Sequence, residues 1–124
     1  MNDLNSVYLV GRLTADAKQQ IKENSWRAKF VLANNNYRYD EVKKEYQQNT
    51  GFFDVTVFGK ENERMISKLK KGIRIGVNGR LNMVTKIDKA GEKKKQIEIV
   101  CFTIQILDPT AYKEEKDVSD DKRV

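Results

Sequence analysis

The sequence predicts a single all-β domain with one short helix, and three observations carry that prediction. The chain has 124 residues, room for one hydrophobic core but not two. Short stretches rich in Val, Ile, Leu and aromatics alternate with polar residues at a period of two. One segment alone places its apolar residues at helical spacing.

Taken in order, Val7-Tyr8-Leu9-Val10-Gly11-Arg12-Leu13 is β-branched and aromatic, ends at the polar Thr14-Ala15-Asp16, and forms the first expected strand. From Trp26, the residues Trp26, Ala28, Phe30 and Leu32 alternate with Arg27, Lys29 and Val31, so the second strand has one apolar and one largely basic face before Asn34-Asn35-Asn36 close it. Tyr37 to Gly51 is polar, mixes tyrosines with Arg38, Lys43 and Lys44, has no clean period, and reads as a long hairpin loop. Phe52 to Phe58 alternates again as the third strand, and Gly59 breaks it. Between Lys60 and Lys71, Met65, Ile66 and Leu69 fall at helical spacing, lysines crowd the last turn, and Gly72 follows as a C-terminal cap. Ile73 to Leu81 is the fourth strand, whose Gly76 and Gly79 suit curvature or close backbone approach. Ala90-Gly91-Glu92 with its flanking lysines forms a basic hairpin tip, and Gln96 to Leu107 is the fifth strand. Pro109 ends it, so residues 1–108 are expected to be the folded domain and 109–124 a flexible charged tail. Five curved strands with a helix between the third and fourth is the order of an OB-fold, a Greek-key barrel that binds oligonucleotides across its second and third strands.

Composition narrows the chemistry. There is no histidine and a single cysteine, which removes histidine acid–base catalysis, the usual Ser-His and Cys-His nucleophile pairs, an internal disulfide and the common zinc sites. No catalytic residue, metal or cofactor is therefore expected. Asp16, Asp40, Glu41, Asp54, Glu61 and Glu63 could hold Mg²⁺ only if brought together, and they are scattered among lysines as on an ordinary surface. No apolar run is long enough for a membrane span, and the start lacks the pattern of a signal peptide, so a cytoplasmic protein without membrane contact is expected. Twenty-four basic residues against eighteen acidic ones give a net charge of +6, carried by the body because Lys113 to Val124 holds four basic and five acidic groups. Such an excess suits a polyanionic partner, although many basic surfaces serve solubility alone.

Asn5 to Asp16 resembles the opening of bacterial single-stranded DNA-binding proteins, and three further stretches match in order. Phe30-Val31-Leu32-Ala33-Asn34 resembles the family's second strand and Thr50 to Lys60 its third, while Leu69-Lys70-Lys71-Gly72 with Val77 to Leu81 resembles its helix end and fourth strand. The resemblance covers about residues 5 to 107 and implies sequence-independent single-stranded DNA binding, with bases stacked on aromatic rings and phosphates held by basic groups. Phe52 and Phe58 fall where the family has stacking aromatics. The family's third aromatic aligns with Arg38, flanked by Tyr37 and Tyr39, and its fourth aligns with Lys86, where phosphate contact would replace stacking. Without the resemblance, each of these rings reads more often as core or loop filling than as a stacking platform. Trp26 matches no family aromatic, and three roles are open to it: stacking on DNA, capping the barrel, or packing between subunits. Arg12, Arg27, Lys29, Arg38, Lys43, Lys44, Lys60, Arg80 and Lys86 could trace a phosphate path beside the expected groove.

The family's acidic tip with its hydrophobic ending is missing, since Lys122 and Arg123 follow Asp120-Asp121. That puts recruitment of replication proteins in doubt and suits a phage, a plasmid or a truncated chain. The resemblance also implies self-association, as a tetramer, a dimer or an array along DNA, with Phe53 standing where relatives carry a polar assembly contact. The expected role is coating of exposed strands in replication, repair or DNA transfer. Two alternatives stay open: an RNA-binding OB module, and a protein-interaction adaptor of a replication or transfer complex.

Overall fold

The computed structural model describes residues 2–108, so the expected tail at 109–124 lies outside the described residues. Six strands, a 3-10 turn and one helical turn follow in order: β1 (Val7–Leu13), β2 (Lys18–Lys22), β3 (Ser25–Asp40), β4 (Glu45–Phe58), the 3-10 turn Lys60–Asn62, α1 (Glu63–Ile66), β5 (Arg74–Ile87) and β6 (Lys93–Ile106). The sheet runs β1-β5-β6-β4-β3-β2, and a further β1–β3 pairing joins its first strand to its fifth. Five strands thus close a barrel with the helical turn between β4 and β5, the arrangement expected of an OB-fold, and β2 hangs on β3 outside the ring.

Closure depends on one strand serving two neighbours. Arg12 pairs with Arg74 of β5 and with Ala33 of β3, and Leu13 pairs with Leu32. Just before them, a Cβ on Gly11 would stand 2.6 Å from the Ala33 carbonyl oxygen, so only glycine admits that approach. Gly79 has the same role at the other seam, where an added Cβ would collide with the Val100 carbonyl beside a bulge between β5 and β6. Gly76, expected to share this role, meets only ordinary contacts.

The core is filled by alternate residues of the long strands: Ala28, Phe30 and Leu32 of β3, Val55 and Val57 of β4, Ile75 and Val77 of β5, and Ile99 and Cys101 of β6. Ile66 of the helical turn and Leu69 just beyond it plug the core. The helix is much shorter than Lys60–Lys71: after Ile66, Lys68 and Leu69 donate to carbonyls three residues back, and Gly72 at φ 88° sends its N–H to Leu13 instead of capping a helix. Burial raises the Cys101 thiol to about 11. No helix among the described residues is long and apolar enough to cross a membrane.

Three boundaries depart from the sequence reading. Residues 37–51 are not a loop, because β3 runs to Asp40, β4 starts at Glu45, and the ribbon turns over four residues with Asp40 Oδ1 accepting the Val42 and Lys43 N–H groups. Similarly β5 continues to Ile87 and β6 starts at Lys93, so the lysine cluster 93–95 lies in a strand rather than at the tip. β2 had no apolar period to announce it; it forms because Glu23 and Asn24, at φ 52° and 64°, make the two-residue turn that folds Lys18–Lys22 back on β3.

Candidate nucleic-acid interface

In an antiparallel pair, residues opposite each other project to the same face. Ala28↔Val57 and Phe30↔Val55 face the core. The intervening pairs therefore face outward: Arg27↔Phe58, Lys29↔Thr56, Val31↔Asp54, Ala33↔Phe52, Asn35↔Thr50, Tyr37↔Gln48 and Tyr39↔Tyr46. This register brings Phe58, Phe52, Tyr37 and Tyr39 into one row and adds Tyr46. At about 3.4 Å per residue the row from Phe58 to Tyr46 is about 40 Å long.

The rings are open to solvent: Phe52 is 67% exposed, Tyr46 74%, Tyr37 62% and Phe58 44%. An apolar ring left so exposed on a rigid strand is unlike a core residue and suits a flat ligand. The Arg27 guanidinium lies 5.3 Å from the centre of the Phe58 ring, close enough for a cation–π contact. Its Nε is buried without a hydrogen-bond partner among the described residues. Tyr39 and Tyr46 meet edge to face at 5.2 Å, which stiffens the far end of the ribbon. Between Phe52 and the tyrosines, Gln48 Nε2 donates to Asn35 Oδ1 (2.9 Å) and Thr50 Oγ1 (3.2 Å), and the Thr50 hydroxyl donates to Asn35 Oδ1 (2.7 Å). That network ties the two strands of the exposed ribbon together through their side chains.

Beside the row lies a cleft of about 320 Å³, walled by β2 on one side and the β5–β6 ribbon on the other. Lys18, Lys29 and Lys86 rim it, and Glu98 lies on its floor, accepting from the Thr56 hydroxyl (2.9 Å) and the Asn82 amide (3.2 Å). None of the three lysines forms an ion pair among the described residues, although Asp16 and Asp54 line the same cleft. Lys18 was missed by sequence reasoning because its strand was missed; its pairing with Lys29 puts both amines on the outward face.

Other expected contacts lie elsewhere. Trp26 is corrected from a stacking ring to a core residue: it is 7% exposed, lies on the inward face opposite Ile21, and its Nε1 donates to Gln19 Oε1 at 3.1 Å. Of its three open roles, this burial fits capping the barrel. Arg38 pairs with Gln47 and so takes the opposite face of the ribbon from Tyr37 and Tyr39. The Arg12 guanidinium donates to the Gly72 carbonyl at 2.9 Å and stands 3.8 Å from Asp108, anchoring loops away from the row. Lys43 and Lys44 occupy the ribbon's turn, Lys60 follows Phe58 at the near end of the row, and Arg80 projects outward on β5 opposite Val100. Phe53 is opposite Leu32 on the inward face, against Gly51. No group of three His, Cys, Asp or Glu among the described residues could hold a metal ion.

Comparison with known proteins agrees with this fold. The solved structure described as the Plasmodium falciparum SSB complex with ssDNA superposes with a TM-score of 0.76 at 25% identity, covering 87% of this chain and 98% of that one. A small single-stranded DNA-binding protein from Streptomyces coelicolor shares the fold, with a TM-score of 0.69. Among curated relatives, the single-stranded DNA-binding protein of Aquifex aeolicus is 32% identical over 105 residues, 84% of this chain and 70% of its own length. Single-stranded DNA-binding protein 1 of Clostridium acetobutylicum is 33% identical over 85% of this chain and 94% of its own length. The Single-strand binding protein family matches residues 4–107, the whole barrel, and the chain belongs to that family.

Proposed function

We propose that the outward face of β3 and β4 binds single-stranded DNA without regard to sequence. Bases stack on Phe52 and Phe58, with Tyr37, Tyr39 and Tyr46 extending the row, while Arg27, Lys29, Lys18 and Lys86 hold phosphates. The observation that carries this reading is the β3–β4 register, which gathers five exposed rings and two cations on one face. Stacking is indifferent to base identity because every base has a π face, and a ribbon of rings with a basic border suits an extended strand. The names of the curated relatives and the ssDNA complex of the Plasmodium falciparum protein support the same reading. The family consists of non-enzymatic DNA-binding proteins, so no reaction step is assigned.

The biological role we propose is coating of exposed strands during replication, repair or transfer of DNA. Self-association belongs to the same proposal: β1 pairs with β3 only at Arg12 and Leu13, and with the Val10 carbonyl taken by the Asn34 amide, the edge at 7–9 is left without a strand partner and open to a second copy. The test is fluorescence anisotropy with a labelled thymidine 30-mer, the matched RNA and a duplex of equal length. Tight binding to the single DNA strand that falls in Phe52→Ala and Phe58→Ala is expected. Equal affinity for all three nucleic acids, or no loss in either variant, overturns the proposal.

A further inference from the structure

Phe102 is an exposed ring that the β3–β4 row does not account for. On β6 the register alternates, with Ile99 and Cys101 on the core face and Glu98 and Val100 on the other, where Val100 is nonetheless covered at 7% exposure. Continued unbroken, it would turn Thr103 inward and Ile104 outward. Instead the bulge pairs Gly79 with Cys101 but Asn78 with Thr103, and Ile104, paired with the buried Val77, packs on the core. Two successive residues, Phe102 and Thr103, therefore face outward, as bulges commonly arrange. Phe102 is 62% exposed.

Its position links it to the row. The parallel ladder between β4 and β6 ends at Val57↔Cys101, and the next residues on the two strands are Phe58 and Phe102. Arg80, opposite Val100 on β5, projects from the same outward face. We propose that Phe102 is a further stacking position, which carries a single strand past Phe58 and around the barrel over β6, with Arg80 beside it for the phosphate. The inference rests on the DNA-binding reading of the β3–β4 face. The nearby charges, Arg80 and the Arg27 guanidinium on Phe58, favour a polyanion over a second copy of this basic surface.

The test uses the whole chain with thymidine oligomers of about 10 and 30 nucleotides and the variants Phe102→Ala and Phe102→Trp. Loss of one stacked base corresponds to about 5- to 150-fold in affinity. The expected result is a loss in that range for the 30-mer in Phe102→Ala, little change for the 10-mer, and quenching of the added indole of Phe102→Trp by the 30-mer. An unchanged 30-mer affinity with an unquenched indole overturns the inference while leaving the β3–β4 reading intact. A change of oligomeric state in Phe102→Ala, seen by light scattering, also overturns it and makes Phe102 a contact between protomers. If the unmutated chain binds neither oligomer, the underlying reading fails instead.

Discussion

The contact between Arg27 and Phe58 yields a prediction that a double-mutant cycle isolates. The two residues are a cross-strand pair, and at 5.3 Å the guanidinium lies within the roughly 6 Å reach of a cation–π interaction. Such contacts are worth about 0.5–1 kcal/mol when exposed and about 2 kcal/mol when desolvated. Arg27 is half-buried and Phe58 is 44% exposed, which places the pair near 1 kcal/mol. Single variants will not reveal this. Arg27→Ala loses the contact and the packing of the arginine stem, but it also removes a buried Nε without an acceptor, whose desolvation costs about 1–3 kcal/mol. A double-mutant cycle of Arg27→Ala, Phe58→Ala and the double variant, followed by urea unfolding, isolates the pair. The expected coupling is about 1 kcal/mol, and Arg27→Lys, which keeps the charge but loses the plane, should recover less than half of it. A coupling under ~0.3 kcal/mol, within ordinary additivity, would refute the idea that Arg27 holds the ring in place.

Three other outcomes are expected. Phe52→Ala should lower affinity for a thymidine 30-mer by about 5- to 150-fold in anisotropy titrations while leaving the urea midpoint nearly unchanged, because the ring is largely exposed. Trp26 should report the opposite behaviour: its emission should hardly change on saturation with DNA, whereas Trp26→Ala should cost about 3–5 kcal/mol of stability in urea. The Cys101 thiol, raised by burial from 9.0 to about 11, keeps its proton longer in the folded than in the unfolded chain. Stability is therefore undiminished by this group below pH 9 and falls by about 2 kcal/mol as pH rises toward 11. Cys101→Ala should flatten that part of the pH profile measured by urea unfolding.

Much of this architecture is legible in the sequence because its signal is burial. Where one face of a strand meets the core, as at Ala28, Phe30 and Leu32 or at Val55 and Val57, the period of two is plain, and each such strand was anticipated. The signal vanishes where the ribbons leave the barrel. From Asn35 to Asp40 and from Glu45 to Thr50 almost every side chain is exposed, so polar residues stand on both faces and the strands look like a loop. The short β2 is exposed along its whole length and is specified by its turn and by pairing with β3. The site shows the same division. Phe52, Phe58, Tyr37 and Tyr39 do share a face, but this follows from the cross-strand register, which a single strand's pattern does not contain. For the same reason Arg38 looked like a neighbour of the tyrosines and lies on the other face, and Lys18 was overlooked. Trp26 was left with stacking on DNA among its three open roles, although its own alternation with Ala28 and Phe30 already placed it inward. Gly79 was legible as a site of close backbone approach, but the bulge it permits beside the Val100 carbonyl, which leaves Phe102 and Thr103 both outward, depends on the β5–β6 register and has no local signal.

The account's central claim is that the outward face of β3 and β4 is where DNA lies. Backbone amide shifts of the isotope-labelled protein, mapped by NMR during titration with a thymidine oligomer, test it most directly. The largest changes should fall on Arg27, Lys29, Val31 and Ala33 of β3 and on Phe52, Asp54 and Phe58 of β4, with smaller ones at Lys18 and Lys86 along the cleft. Changes concentrated instead on Tyr8, Val10, Gly76 and Asn78, on the outward side of β1 and β5, would contradict the account and place the ligand on the opposite wall of the barrel.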